Sequence, residues 1–576
     1  MPQFELSSKK LYKPFSNDLS NPNIKYFLKK ILGEEKDFYS TTIIYGIAIA
    51  ILSLALPISV QLLINSVAFT AMFQPIIILG FVLLLLLTFS SILNALQIYV
   101  VEVFQRRFFG RMSADITLSI INAKHENFEQ ANQTEFVNRF FDVINIQKTM
   151  PKVLIKTFTL ILQTFAGLIL VAFYHPLLLV FSLIIIVTII IIWLAFSKNG
   201  FITKFYTSRQ KYDMASWLED IARNNFLFKS EIGQKYAVFK TNFLTEQYLF
   251  ERKKHFKYAF LQICLMLALY TIASASLLII GGYLVIKGQL SIGQLVASEL
   301  VLSATLYGIS ELGRDFEAFY DIASSTEKLS QFYNIDQEDS AHEKIDNHKI
   351  CIKFDKVVDN YFGRDFNFNL NFEAQKNYLI STTNLTYQKV LIELIYGLRK
   401  PIRGSLQFNN LDIENIDLAH LRSNIVIIDN SNFIDGTIVE YLTFNDKNIN
   451  KKFLNEVLFV TGLEKVLEKF KDGLNQKINP SGYPLSESEK ILLKTARGLL
   501  QNPKIIIITE VLDMLSLSSR RKILEFLTKN HEAMILYFSN RRDEMFDFNE
   551  YLFIDENKIH HFKSISELDK FEQKND

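Results

Sequence analysis

The chain predicts two halves of different class, an all-α membrane domain followed by an α/β domain. Three observations predict it. Six apolar stretches lie between residues 42 and 312, each near the roughly 20 residues a bilayer requires. Lys and Arg crowd the connections on one side of those stretches and are nearly missing from the other. From about Ile350 onward, short β-branched and aromatic runs alternate with helical ones, the pattern of a largely parallel sheet.

Composition agrees. Of the 576 residues, 49% are hydrophobic, high for a soluble protein and ample for several domains. A net charge of +2 gives no bias toward nucleic acid. Cys264 and Cys351 sit far apart in unlike contexts, so they read as two buried thiols, with no disulfide framework and no metal site.

Residues 1–40 are polar, carry Lys and aromatic side chains, and lack the apolar core of a signal peptide. The spans fall at about Thr42–Val67, Pro75–Val101, Val153–Tyr174, Pro176–Phe196, Phe260–Ile286 and Gly293–Leu312. The fourth is the plainest, with ten aliphatic or Thr residues from Leu183 to Ile192. Basic residues mark the first segment (Lys9, Lys10, Lys13, Lys25, Lys29, Lys30, Lys36) and the long connections after spans two and four. The other connections are short, and Lys287 is their single basic residue. Both termini and both long connections are therefore expected in the cytoplasm. Within the spans, Glu299 and Glu311, with Arg314 and Asp315 near the cytoplasmic end, each cost roughly 2.5–3.5 kcal/mol at a bilayer centre. They line a substrate path or pair between helices. Trp193, near a span end, reads as core or lipid-facing.

Two stretches go further than class. Gly281–Leu295 (GGYLVIKGQLSIGQL) puts glycines in a tight turn between spans five and six. Leu485–Ser516 holds an amphipathic helix (Ile491, Leu492, Leu493, Ala496, Leu499, Leu500), Arg497, Asn502-Pro503, the run Ile505–Ile508, and then Thr509-Glu510. Together they resemble an ABC exporter half-transporter: a six-span transmembrane domain (41–320), a linker (321–348) and an α/β nucleotide-binding domain (349–576). Pro57-Ile58 and Gln61 are similar to the protein-secretion branch. The resemblance implies spans that continue into the cytoplasm as helices, with coupling helices expected near Lys124–Thr134 and Ser216–Asn225. It implies a dimer in the cytoplasmic membrane of a bacterium.

The resemblance also assigns the ATP motifs, and most are substituted. A phosphate loop needs glycines, a Lys and a Ser or Thr. Counting back from Leu394–Pro401, the loop falls at Thr382–Val390, where no glycine lies between Gly363 and Gly397. Gln388 takes the Lys position and Lys389 the Ser/Thr position. Tyr387 replaces the last glycine and would set a ring against the loop. The glutamine that links magnesium to the coupling helix falls at Asp429, the signature at Leu485-Ser486-Glu487-Ser488-Glu489, the metal-binding Asp at Thr509 and the switch histidine at Asn540. Glu487 and Glu489 would repel an opposite γ-phosphate. Glu510 keeps the catalytic glutamate position. Tyr361 or Phe362 would stack an adenine or serve as an ordinary strand aromatic. No resident cofactor is expected; ATP could meet only the bare helix N-terminus, weakly.

The expectation is a catalytically impaired subunit of a membrane export complex, dimeric with itself or with an ATP-competent half-transporter that supplies hydrolysis. The alternatives are a non-transporting scaffold or regulator that associates with other envelope proteins, and an active exporter with divergent motifs.

Overall fold

The computed structural model describes residues 24–69, 73–130, 137–339, 341–346, 348–446, 449–530, 533–541, 547–555 and 558–575. These residues divide into two compact units. One runs to Ala123 and from Asn127 to Gln337; the other is made of Lys124–Glu126 and the residues from Glu338 onward.

The first unit is all helix. A short amphipathic helix, α1 (Ile24–Leu32), buries Phe27, Ile31 and Leu32. Then come α2 (Lys36–Ser53), α3 (Ala55–Phe69) and α4 (Gln74–Ile121). The short α5 (Glu126–Gln130) leads to α6 (Phe141–Pro151), a π-helical turn (Lys152–Thr157) and α7 (Phe158–Tyr174). The unit closes with α8 (Pro176–Arg223), α9 (Glu231–Ile286) and α10 (Ile292–Asn334).

Among the described residues, five helical stretches are long and apolar enough to cross a membrane; the sixth expected span is the shorter apolar stretch Ile292–Thr305 of α10. Helices α4, α8 and α9 hold 48, 48 and 56 residues. At 1.5 Å per residue that is roughly 70–85 Å, far beyond a ~30 Å hydrocarbon layer. The first expected span is broken between α2 and α3. Pro57 has no N–H to return to Ser53, and the ladder is interrupted at Leu54. Gln61, in the same span, accepts the Tyr174 hydroxyl at 2.6 Å.

The short interhelix turns follow their local chemistry. His175 is extended, its Nδ1 accepts the Leu177 N–H at 3.1 Å, and Pro176 opens α8. Gly288 takes φ +70° just before Ser291, which caps α10 in a reciprocal box with Gln294.

Several expectations are corrected. Residues 321–334, read as linker, are the last turns of α10, and Ile322, Leu329 and Phe332 are buried there. Charged residues interrupt the apolar run without ending the helix, because helix outside lipid needs only one apolar face. Residues 216–223, expected within a coupling helix, belong to the end of α8, with Ser216 and Trp217 buried. The chain reverses at 224–230, where Phe226 is 93% exposed. The other coupling segment is α5 as far as it is described; 131–134 lie outside the described residues, as does the Arg314 side chain. Cys351 is exposed and Cys264 half-buried, so neither is the buried thiol expected.

The second unit is α/β. Strands β1 (Ile352–Tyr361), β2 (Arg364–Phe372), β4 (Arg403–Phe408) and β5 (Leu411–Asp412) form an antiparallel sheet of order β2-β1-β4-β5. The second sheet comprises β3 (Asn377–Thr382), β6 (Ile425–Ile428), β9 (Ile505–Ile508), β10 (Met534–Phe538), β11 (Glu550–Asp555) and β12 (Lys558–Phe562). Its order is β12-β11-β3-β10-β9-β6, parallel except at the β12 edge. All four isoleucines of β9 are buried, as a central parallel strand requires. Helix α12 (Leu418–Ser423) precedes β6, and between β6 and β9 come β7 and β8 (Gly436–Thr437, Lys477–Ile478), α13 (Ile438–Thr443), α14 (Lys451–Thr461), α15 (Leu463–Leu467) and α16 (Glu487–Leu500). Helix α11 (Leu385–Ile395) follows β3, α17 (Leu517–Asn530) precedes β10, and α18 (Ile565–Asn575) follows β12.

Candidate functional site

The site positions gather at the carboxyl ends of β3, β9 and β10, where parallel sheets place ligands. Strand β3 ends at Thr382 and α11 begins at Leu385, so two residues, Thr383 and Asn384, join them. Asn384 caps the helix: its side-chain oxygen accepts the Thr386 N–H at 2.8 Å, and its carbonyl accepts the Tyr387 N–H at 3.0 Å. The Thr382 hydroxyl lies 3.0 Å from the Asn384 carbonyl oxygen and 3.2 Å from its N–H. A helix N-terminus can bind an anion through its unpaired N–H groups; here part of that donor set is taken by Asn384. The loop expected over Thr382–Val390 is therefore mostly helix.

Gln388 and Glu510 meet. The Gln388 Nε2 donates to Glu510 Oε2 at 3.0 Å, while Gln388 Oε1 is buried without a hydrogen-bond partner among the described residues. One residue on, Lys389 points elsewhere: its Nζ donates to the Tyr361 hydroxyl at 2.6 Å and lies 3.5 Å from Glu393. Both Lys389 and Arg399 stand over the Tyr361 ring, at 4.8 and 5.0 Å from its centre. Phe362, 83% exposed, meets Tyr361 edge-on. Tyr387 does not set its ring against the loop as expected. It is buried between Phe366 and Phe368, because its place on the first turn of α11 faces the antiparallel sheet.

Thr509 is buried, and its hydroxyl donates to the Ile428 carbonyl at 3.1 Å. Asn540 Nδ2 reaches the Thr382 carbonyl at 3.5 Å. Asp429 folds onto its own loop, accepting the Ser431 N–H at 3.0 Å, and the buried Lys494 of α16 holds that loop through the Asp429 and Ser431 carbonyls. Burial lowers the Lys494 ammonium pKa, against the pull of Asp429.

Ser486 is not brought to Gln388; it is the N-cap of α16. Its hydroxyl accepts the Glu489 N–H at 3.4 Å and Glu489 returns a carboxylate to its own N–H at 2.8 Å. The two acids of this stretch are not bare charges. Glu487 pairs with Lys490 and Glu489 with Lys469, each at 2.7 Å.

One group escaped the sequence reading. Asp513, in the 3-10 turn Glu510–Met514, accepts the Tyr537 hydroxyl and, at 2.8 Å, the Ser539 hydroxyl. Arg520, 1% exposed, lies 3.4 Å away. Burial and Asp513 push the Tyr537 phenol far above its ordinary range. The available signal was Arg520 on the apolar face of α17, a charge that cannot be buried alone. The Asn384 cap had a signal too: an Asn directly before an apolar-periodic segment.

Comparison with known proteins gives the frame. The family described as ABC transporter transmembrane region matches residues 40–309, and the family described as ABC transporter matches 389–512, beginning one residue after Gln388. A putative export ATP-binding/permease protein of Rickettsia conorii is 25% identical over 82% of this chain and 83% of its own. A multidrug resistance ABC transporter ATP-binding and permease protein of Lactococcus lactis is 23% identical over 93% and 92%. The alpha-hemolysin translocation ATP-binding protein of Escherichia coli is 23% identical over 44% of this chain and 38% of its own. The solved structure of a bacterial Atm1-family ABC exporter with ATP bound shares the fold, with TM-score 0.82 over 94% of this chain and 97% of its own, at 15% identity.

Proposed function

The chain is an ABC exporter-type half-transporter, a multi-pass transmembrane domain fused to a nucleotide-binding domain, and we propose that it is the catalytically impaired member of its complex. The observation that carries this reading is the bond between Gln388 and Glu510 beside a two-residue β3–α11 loop. A triphosphate needs a nest of free N–H groups, a cation at the Gln388 position and a metal ligand at Thr509. The residues present do not fit Mg·ATP. Asn384 takes an N–H, Gln388 carries no charge, and the Thr509 hydroxyl serves a backbone carbonyl. Glu510 is engaged by the Gln388 amide, and a general base there depends on neighbouring residues able to position metal and phosphate beside it.

ABC exporters act as dimers. The partner in this reading is a half-transporter with an intact phosphate loop, in the cytoplasmic membrane with both termini inside. The relatives' export and permease names and the exporter fold support transport rather than a scaffold role. The scaffold reading keeps one motive: Glu487 and Glu489 fill the signature positions that the family resemblance assigns, even though each has a Lys partner. A protein-secretion assignment rests on Pro57, Ile58, Gln61 and the partial hemolysin-translocator match.

The test is the native complex in lipid. Its mass and subunit identities should reveal a second half-transporter, and phosphate release should be unchanged by Glu510→Gln in this chain. A homodimer that hydrolyses ATP and loses that activity with Glu510→Gln would overturn the reading.

A further inference from the structure

Buried ionisable groups of the first unit mostly meet a partner. Glu311 has Lys156 at 2.8 Å, and Asp142 accepts the Tyr212 hydroxyl at 2.6 Å and the Ser325 hydroxyl at 2.9 Å. His255 of α9 departs from this. It is 1% exposed, and its Nε2 has no hydrogen-bond partner among the described residues. It lies just ahead of Phe260, where the fifth apolar stretch begins.

The tautomer is assigned from the neighbouring hydroxyl. Thr203 Oγ1 of α8 donates to the Asn199 carbonyl at 2.7 Å, which uses its one hydrogen. At 3.1 Å from His255 Nδ1 that oxygen can then only accept, so Nδ1 carries the ring N–H. Nε2 is left as a lone pair, with Glu317 Oε1 of α10 at 3.9 Å. Two acceptors face each other with no hydrogen between them.

The surrounding charges already balance. Lys204 of α8 lies 2.6 Å from Asp321 and 3.2 Å from Glu317, and Arg252, on α9 itself, lies 3.4 Å from Glu317. Two cations thus answer the two carboxylates of α10. A proton on Nε2 would add a buried charge without a counter-charge of its own. Burial, then Lys204 and Arg252, push the imidazole down to about 4, against the pull of Glu317 and Asp321. Water reaches the ring only if the helices part. Tyr320 of α10 meets it edge-on at 6.0 Å, and a Cβ on Gly200 of α8 would come within 2.6 Å of the Tyr320 ring.

We propose that His255 is a proton-binding latch: the ring stays neutral while α8, α9 and α10 are packed together, and moving the α8–α9 hairpin away from α10 takes up one proton from solvent at Nε2. The packed form binds fewer protons. It is therefore favoured above the ordinary imidazole value of about 6.5 and loses ground as pH falls below it. The latch goes beyond the exporter reading and does not depend on whether this subunit hydrolyses ATP.

The experiment uses the full chain with whatever half co-purifies, in nanodiscs, with Cys264→Ser and Cys351→Ser. Spin labels go on Ala114→Cys and Gln247→Cys, exposed positions of α4 and α9; α4 shares a core with the end of α10. Dilution with unlabelled chain removes distances between copies. Between about pH 7.5 and about pH 5.5 the ratio of separated to packed distances should rise about tenfold. His255→Gln should keep the native distances of the higher pH at both. An unchanged native distribution overturns the proposal, and so does a pH response that survives His255→Gln. A His255→Gln chain already separated at the higher pH also overturns it, since the ring would then supply packing and not charge. Hydrolysis that depends on Glu510 would instead overturn the impaired-subunit reading and leave the latch standing.

Discussion

At the scale of single residues, the positions that the family resemblance assigns to ATP chemistry make bonds within the nucleotide-binding unit. Gln388 holds Glu510, the Thr509 hydroxyl holds Ile428, and Asp513 collects Tyr537, Ser539 and Arg520. Substituting a lysine at one position does not rebuild a loop two residues long. Gln388→Lys is therefore expected to leave phosphate release at background and to create an ion pair with Glu510; steady-state hydrolysis by the purified chain checks this. Arg520 sets a larger stake. Removing one partner of a buried charge pair typically costs about 3–5 kcal/mol, so Arg520→Met should destabilise this unit by an amount near that range. Arg520→Met combined with Asp513→Asn should recover part of it, read by chemical denaturation of the full chain.

At the scale of elements, α16 shows a motif position used as a fold device. The Ser486–Glu489 box satisfies N–H groups at the helix start. Ser486→Ala should cost about 1 kcal/mol, visible as faster amide exchange over Glu487–Leu493 with no change in hydrolysis by the complex. The same box gives a pH dependence. Burial alone would raise the Glu489 carboxyl, but bonds from Lys469 and from the Ser486 backbone and side chain hold it below the usual carboxylate range. A depressed carboxyl stabilises the fold at neutral pH, and that stability is lost as pH falls through the folded-state value. Protection of the first turn of α16 should therefore fall on acidification below about pH 4.5, and Lys469→Met should weaken the effect. Backbone shape imposes its own demand at the β1–β4 pairing. Gly404 takes φ +83°, and a Cβ there would strike the Lys356 carbonyl. Gly404→Ala should lower the melting temperature by several degrees if the cost is 1–3 kcal/mol.

At the scale of the whole molecule, the two halves carry different amounts of evidence in the chain. The membrane half was legible because lipid imposes length and polarity on every span: the apolar runs and the Lys and Arg asymmetry are set by the bilayer. Where lipid stops imposing, the reading erred. It ended α10 early and placed the α8–α9 turn inside α8, because a helix in water needs one apolar face and its end is set by a cap such as Ser230. In the second half, the four buried isoleucines of β9 announced a central strand, whereas the local geometry around Asn384 did not. The molecule as a whole gives one more expectation. With Asn384, Gln388 and Thr509 already bonded internally, millimolar Mg·ATP should leave the melting temperature of the purified chain unshifted. A rise of several degrees would mean a dissociation constant well below the millimolar concentration used and would contradict the fit argued at this site.

The sequence by itself determined the fold class, the order of the two domains and the stretch without glycine between Gly363 and Gly397, because hydrophobic period and residue identity act locally along the chain. Only the tertiary structure decided what the residues at the assigned motif positions do: which amide meets Glu510, where the Tyr387 ring goes, and which carbonyl the Thr509 hydroxyl serves. Those outcomes depend on groups up to a hundred or more residues apart, such as Gln388 and Glu510, and no local pattern records which of them come within a hydrogen bond.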